Sequence, residues 1–148
     1  MDVMRVIGEN AALSFDKISN TPGLRPVMPS GAMYMLVGID IALFPHFKDD
    51  TQVWSDKKSI INFCYYLMFQ FAESLISEES VFIMPGSCFN IPSHFRIVLT
   101  IPEDLMAEAC DRIAQFCDRH MKTPKGNMDI IDEQSTVTFQ DSWKSITR

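Results

Sequence analysis

Of the 148 residues only six are glycine and eight proline, which excludes collagen-like and low-complexity material. Basic residues are the minority: 13 Lys and Arg stand against 19 Asp and Glu, for a net charge of −6. A nucleic-acid binder needs the opposite balance to neutralise phosphates, so no nucleic-acid partner is expected. Long apolar runs are missing as well. The longest, IINFCYYLMFQFA over Ile60–Ala72, has about 13 residues and is interrupted by Asn62 and Gln70. It falls short of the roughly 20 residues that span a bilayer, so no membrane partner is expected. The first ten residues, MDVMRVIGEN, hold neither the apolar stretch of a signal peptide nor the Arg and Ser richness of a mitochondrial presequence. Cys64, Cys88, Cys110 and Cys117 form no C-x-x-C pair, so neither a metal site nor a disulfide framework is expected, and without export the thiols stay reduced. Cys110 and Cys117, seven apart on an expected helix, read as small buried hydrophobes.

What is present is enough apolar material, 47% of the chain, for one domain with a core. Val3, Ile7, Ala11, Phe15 and Ile18 recur at spacings of three and four, which predicts a helix over 2–19 that stops at Thr21-Pro22-Gly23. Gly31–Ile41, GAMYMLVGIDI, is apolar on both faces and reads as a central strand covered on both sides. Phe44–Gln52 reads as a loop, with His46 inside it and Asp49-Asp50 as a helix cap. Residues 71–80 read as a helix ending in the solvated pair Glu78-Glu79, Val81–Met84 as a short strand stopped by Pro85-Gly86, and Phe95–Ile101 as a second β-branched strand. Thr100-Ile101-Pro102-Glu103 has the pattern of a capping box, in which the Thr hydroxyl accepts from a backbone N–H and the Glu reaches back. The helix that follows runs to about Met121, with Leu105, Ala109, Ile113, Phe116 and His120 as its buried stripe. Residues 123–148 are polar and without period, and read as a mobile tail. Helix, strand, helix, strand, strand, helix predicts an α/β or α+β layer domain, a small sheet packed with helices, over residues 1–122.

Residues 53–70, VWSDKKSIINFCYYLMFQ, interrupt this composition with residues of AT-rich codons. Val is encoded by GTN and Phe-Gln can be encoded as TTTCAG, the two ends of an intron. The segment is an atypical insertion that reads as a retained intron of eighteen codons; a transcript retaining those codons in every spliced form would count against it. Ile60, Cys64, Leu67, Met68, Phe71 and Leu75 also keep helical spacing, so the same segment can lengthen the helix, with an over-exposed apolar face.

Arg96 is the residue with most to explain. It lies in the strand FRIVLTI, on one face with Val98 and Thr100. A guanidinium among apolar β-branched neighbours must find an anion or reach water. Its planar fork matches a carboxylate through two parallel hydrogen bonds. The residues alone leave open a protein carboxylate or an edge-strand escape to solvent.

Two motifs narrow the choice: PGLRPVMPSGAMYMLVGI over Pro22–Ile39 and PGSCFNIPSHFRIVLTIPEDLM over Pro85–Met106. At this spacing the chain resembles the C-terminal small domain of class I pyridoxal-phosphate-dependent aminotransferases, which belong to the fold-type I transferases. The PSGAMY run and the T-x-P-E helix start resemble their tyrosine aminotransferase branch. The resemblance covers residues 2–122 apart from 53–70. It implies transfer of an amino group from L-tyrosine to 2-oxoglutarate, with amino acid and 2-oxoacid substrates, a homodimer, and a cytoplasmic location in aromatic amino acid catabolism. It also implies pyridoxal 5′-phosphate, held as a Schiff base by a lysine of a large domain. By the resemblance Arg96 holds the substrate α-carboxylate, a positioning role, while Gly31, Ser87 and Cys88 border the active site. His46, His94 and His120 receive no catalytic role. None of the seven lysines, Lys17, Lys48, Lys57, Lys58, Lys122, Lys125 and Lys144, stands in the S-x-S-K context of the family, and no Gly-rich phosphate cradle is present. The expectation is a portion of an enzyme, inactive alone, with the apolar face of its first helix bared. A non-catalytic interaction module, or an aminotransferase of alanine or kynurenine type, is the alternative.

Overall fold

A computed structural model describes residues 2–44 and 57–121, with backbone alone over 57–60. The expectations for His46, for Asp49-Asp50, for residues 53–56 and for the tail 123–148 lie outside the described residues.

The first helix, α1 (Val3–Ser19), is capped by the Asp2 carboxylate, which accepts from the Arg5 backbone N–H. It ends where Thr21 Oγ1 donates to the Lys17 carbonyl and Gly23 takes φ +82°. Its apolar stripe is not bared. Ile7, Ala11 and Ile18 are buried in the domain's own core, and only the first turn, Val3 and Met4, faces outward. Asn10 and Ser14 are buried between them.

The sheet runs in the order β1-β2-β4-β3, antiparallel throughout. Strand β1 (Leu24–Val27) has no counterpart in the periodicity reading, because Pro26 argues against a strand. The proline is tolerated because β1 is an edge, where a missing donor breaks no ladder. Strand β2 (Tyr34–Ile39) lies between β1 and β4 but is shorter than Gly31–Ile41, and it is not covered on both sides. Met35, Val37 and Ile39 are fully packed, whereas Tyr34 is exposed and Leu36 half-buried. Strand β3 is only Met84–Pro85, displaced from the expected Val81–Met84. Strand β4 (His94–Val98) stops before Leu99.

The helices cover one sheet face. Helix α2 (Lys57–Glu79) is one continuous element through most of the atypical segment. Leu67, Met68, Phe71 and Leu75 are buried, while Tyr66, Phe69 and Ile76 stand exposed. Phe71 is the hub of the core, with its ring centroid 5.7 Å from Phe44, 5.8 Å from Phe95 and 5.2 Å from Phe116. Edge-to-face and offset pairs of this kind add to what area burial supplies.

Helix α3 (Glu103–His120) departs from expectation at both its start and its buried face. Pro102 occupies the N-cap with no side-chain bond, so the capping box is not formed and Thr100 is exposed. The reason lies in α1: Asn10 Nδ2 donates to the Leu99 carbonyl at 2.8 Å and the Ile101 carbonyl at 2.6 Å. That bracket ties 99–101 to α1 ahead of the helix, which begins only at Glu103. The buried stripe is Met106, Cys110, Ile113, Phe116 and Cys117, leaving Leu105 50% exposed. Both helix cysteines are core residues, and burial pushes the Cys117 thiol up to about 12. Glu78 and Glu79 are not a freely solvated helix end. Arg119 reaches both, and His120 Nε2 lies 2.8 Å from Glu78. Those contacts, His120 foremost, hold the Glu78 carboxyl below the usual range.

Candidate functional site

Strand register decides which side chains share the uncovered sheet face. Leu36 stands opposite Arg96, Tyr34 opposite Val98, and Met84 opposite Arg96 on the other side. Alternation then puts Tyr34, Leu36, Met84, Arg96 and Val98 on one surface, away from the helices. Thr100 lies beyond the end of β4 and is not part of it.

Arg96 sits in the middle of this face, half-buried. Its guanidinium carbon lies 3.4 Å from the centroid of the Phe89 ring and 4.2 Å from that of Tyr34, over each ring face. Its Nε is shut off from solvent and meets no acceptor among the described residues. Among the described residues no carboxylate pairs with it, unlike Arg5, Arg112 and Arg119, which meet Glu9, Glu108 and Glu78 with Glu79. Of the alternatives the sequence left open, the protein-carboxylate partner is therefore absent among the described residues.

Phe89 reaches Arg96 because of the turn before β4. Residues Gly86–Phe89 form a 3₁₀ turn that closes on Asn90 in the left-handed region, and Ile91 N–H donates back to the Gly86 carbonyl at 2.9 Å. Gly86 is buried against backbone: a Cβ there would fall on the Ile91 carbonyl oxygen and 2.5 Å from that of His94. Only glycine lets the turn lie this close to β4.

Ser87, half-buried, and Cys88, exposed, belong to the same turn as Phe89. Gly31 lies in the connection between β1 and β2, exposed at φ +134° with no atom near its missing Cβ. His94 opens β4 with Nδ1 2.8 Å from the Pro92 carbonyl, and His120 belongs to the α2–α3 contact. The rings on Arg96 are what sequence reasoning passed over. Phe89 closes the Pro85-Gly86-Ser87-Cys88-Phe89 run of the second motif and Tyr34 closes PSGAMY, so both lay inside the motifs, but the register that joins them to Arg96 is a tertiary fact.

The described residues do not fit a pyridoxal-phosphate site. Among the described side chains the lysine is Lys17, and it is bound 2.5 Å from Asp111 across α1 and α3, away from the open face. Among the described residues no cluster of His, Cys, Asp and Glu could hold a metal, and no helix is long and apolar enough to cross a membrane.

A small antiparallel sheet with helices on one face is an α/β layer fold shared with part of solved pyridoxal-phosphate-dependent aminotransferases. The chain belongs to the aminotransferase class I and II family, whose model matches residues 5–113. It is similar to the tyrosine aminotransferase of Mus musculus, 39% identical over 89% of this chain and 25% of that protein. It is also similar to that of Homo sapiens, 36% identical over the same 89% and 25%. Among solved structures, the tyrosine aminotransferase of Leishmania infantum superposes with a TM-score of 0.63 at 22% identity, covering 81% of this chain and 25% of that one. The chain thus spans about a quarter of the length of these relatives.

Proposed function

We propose that this chain is the substrate-gripping portion of a pyridoxal-phosphate-dependent aminotransferase that moves an amino group from L-tyrosine to 2-oxoglutarate. The observation that carries the reading is Arg96: a guanidinium in the middle of an open sheet face, with aromatic contacts and no carboxylate among the described residues. Such a group is prepared to accept the α-carboxylate of an incoming amino acid or oxoacid by two parallel hydrogen bonds. Fixing that end of the substrate aligns its reacting carbon, and the benefit is positional. Gly31, Ser87 and Cys88 border the site. Cofactor binding falls to a large domain other than residues 1–122, in keeping with the misfit of Lys17, and the chain alone is catalytically silent. Similarity to proteins named tyrosine aminotransferases supports the aromatic substrate; the homodimer and the cytoplasmic setting follow from the family resemblance of the sequence motifs.

In the complete enzyme carrying this segment, Arg96→Ala raises KM for both amino acid and oxoacid by at least about tenfold, as loss of a charged hydrogen-bonding pair requires. Arg96→Lys recovers only part, since an ammonium cannot grip a carboxylate bidentately. Unchanged KM for both substrates would overturn the assignment. Profiling tyrosine against alanine and kynurenine as amino donors tests the aromatic preference.

A further inference from the structure

We propose that Tyr34 and Phe89 are positioning residues: their ring faces hold the Arg96 guanidinium in place while leaving its terminal Nη1 and Nη2 donors free for a substrate carboxylate. The proposal rests on the reading of Arg96 as the carboxylate grip and adds the means by which the grip is kept ready.

An arginine on an open sheet face has to be held, because an unrestrained side chain loses rotamer freedom each time it binds. The usual restraint is a carboxylate, as at Arg5, Arg112 and Arg119. A carboxylate at Arg96 would occupy the same in-plane hydrogen bonds that a substrate needs, and would have to be displaced. Ring faces restrain the group differently. A cation–π contact acts through the ring quadrupole and consumes no N–H donor. Arg96 has two such contacts, at 3.4 and 4.2 Å, from separate elements. Tyr34 arrives from β2, one diagonal step along the ladder from Arg96. Phe89 arrives from the turn that Gly86 seats against β4. The flanking cross-strand neighbours, Leu36 and Met84, carry no carboxylate, amide or hydroxyl to compete for it. The positive charge is thus fixed without being neutralised.

The test uses the 148-residue chain, ¹⁵N-labelled and titrated with 3-phenylpropionate, reading the Arg96 Nε–Hε cross-peak, which Arg96→Lys identifies by its loss. The wild type is expected to shift saturably. Tyr34→Leu and Phe89→Leu are each expected to weaken binding by about two- to fivefold and to move the ligand-free peak out of its ring-shifted position. Tyr34→Phe is expected to restore both, since it keeps the ring and loses only the hydroxyl. Tyr34 is 39% exposed, so Tyr34→Leu decides the matter even where Phe89→Leu disturbs the turn. Saturable binding that neither leucine variant weakens would overturn the positioning role and leave the carboxylate grip standing. No shift in the folded wild type would overturn both.

Discussion

Gly86 shows how much a single missing Cβ can decide. Its neighbours are carbonyl oxygens of the main chain rather than the ends of flexible side chains, so an added methyl cannot be accommodated by a rotamer change. Gly86→Ala is expected to cost about 1–3 kcal/mol, the usual penalty of overpacking, and to lift Phe89 from Arg96. Gly8 is the matching control. It lies exposed in α1 with open space around it, and Gly8→Ala should stabilise by roughly 0.5–1 kcal/mol because alanine loses less backbone freedom in a helix. Urea midpoints for the two variants moving in opposite directions check the contrast; a neutral Gly86→Ala would refute the close approach of turn and strand. The P-G pair was enough to place a turn, but only the nearness of the Ile91 and His94 carbonyls explains why no other residue serves.

At the scale of elements, α2 carries apolar side chains on more than one side. Met68 is fully buried and its neighbour Phe69 is 60% exposed. Met68→Asp is expected to abolish cooperative unfolding, because a carboxylate would enter the core unpaired. Phe69→Asp is expected to shift stability by less than about 0.5 kcal/mol, as befits a surface position, and to raise solubility by breaking an exposed apolar surface. Thermal melts and the concentration at which light scattering begins measure the two effects. Equal effects of both variants would refute the orientation of the helix. The far ends of α2 and α3 are joined by Glu78 and Glu79 with Arg119 and His120. The Glu78 carboxyl lies below its ordinary value in the folded chain, chiefly through His120 and then Arg119. A lowered folded value favours the native state above the unfolded carboxyl range, and the contribution is lost as pH falls through the folded value. Solvent screening keeps it small. Melting temperature should therefore fall from pH 6 toward pH 3 less steeply in Glu78→Gln than in the wild type, and parallel curves would show that the pair contributes nothing. Such contacts were invisible in the acidic run itself, because Arg119 and His120 approach from another helix.

For the molecule as a whole, the separation of faces is the central feature. Helices close one side of the sheet, and the other keeps an arginine and two rings at the surface. A domain of this form can present a carboxylate grip but, among its described side chains, holds no lysine suited to the cofactor. Adding pyridoxal 5′-phosphate to the purified chain is accordingly expected to leave the cofactor's absorbance as in free solution. A saturable new band, retained after desalting, would show a cofactor site in this chain and overturn the division of labour proposed for it.

The sequence by itself determined the family, the α+β layering, the extent of α1, the placement of Cys110 and Cys117 in the core, and the singular position of Arg96. These follow from local pattern and from motifs whose residues are adjacent in the chain. Tertiary structure decided the rest. Pro26 concealed β1 until its place at the sheet edge made the missing donor harmless. Asn10, reaching across to the Leu99 and Ile101 carbonyls, replaced the capping box that Thr100 and Glu103 suggested. The buried face of α3 turned from Leu105 to Met106 because packing against α1 and α2, not periodicity alone, selects the stripe. Tyr34 and Phe89 meet Arg96 through strand register and a turn geometry, which no local spacing encodes.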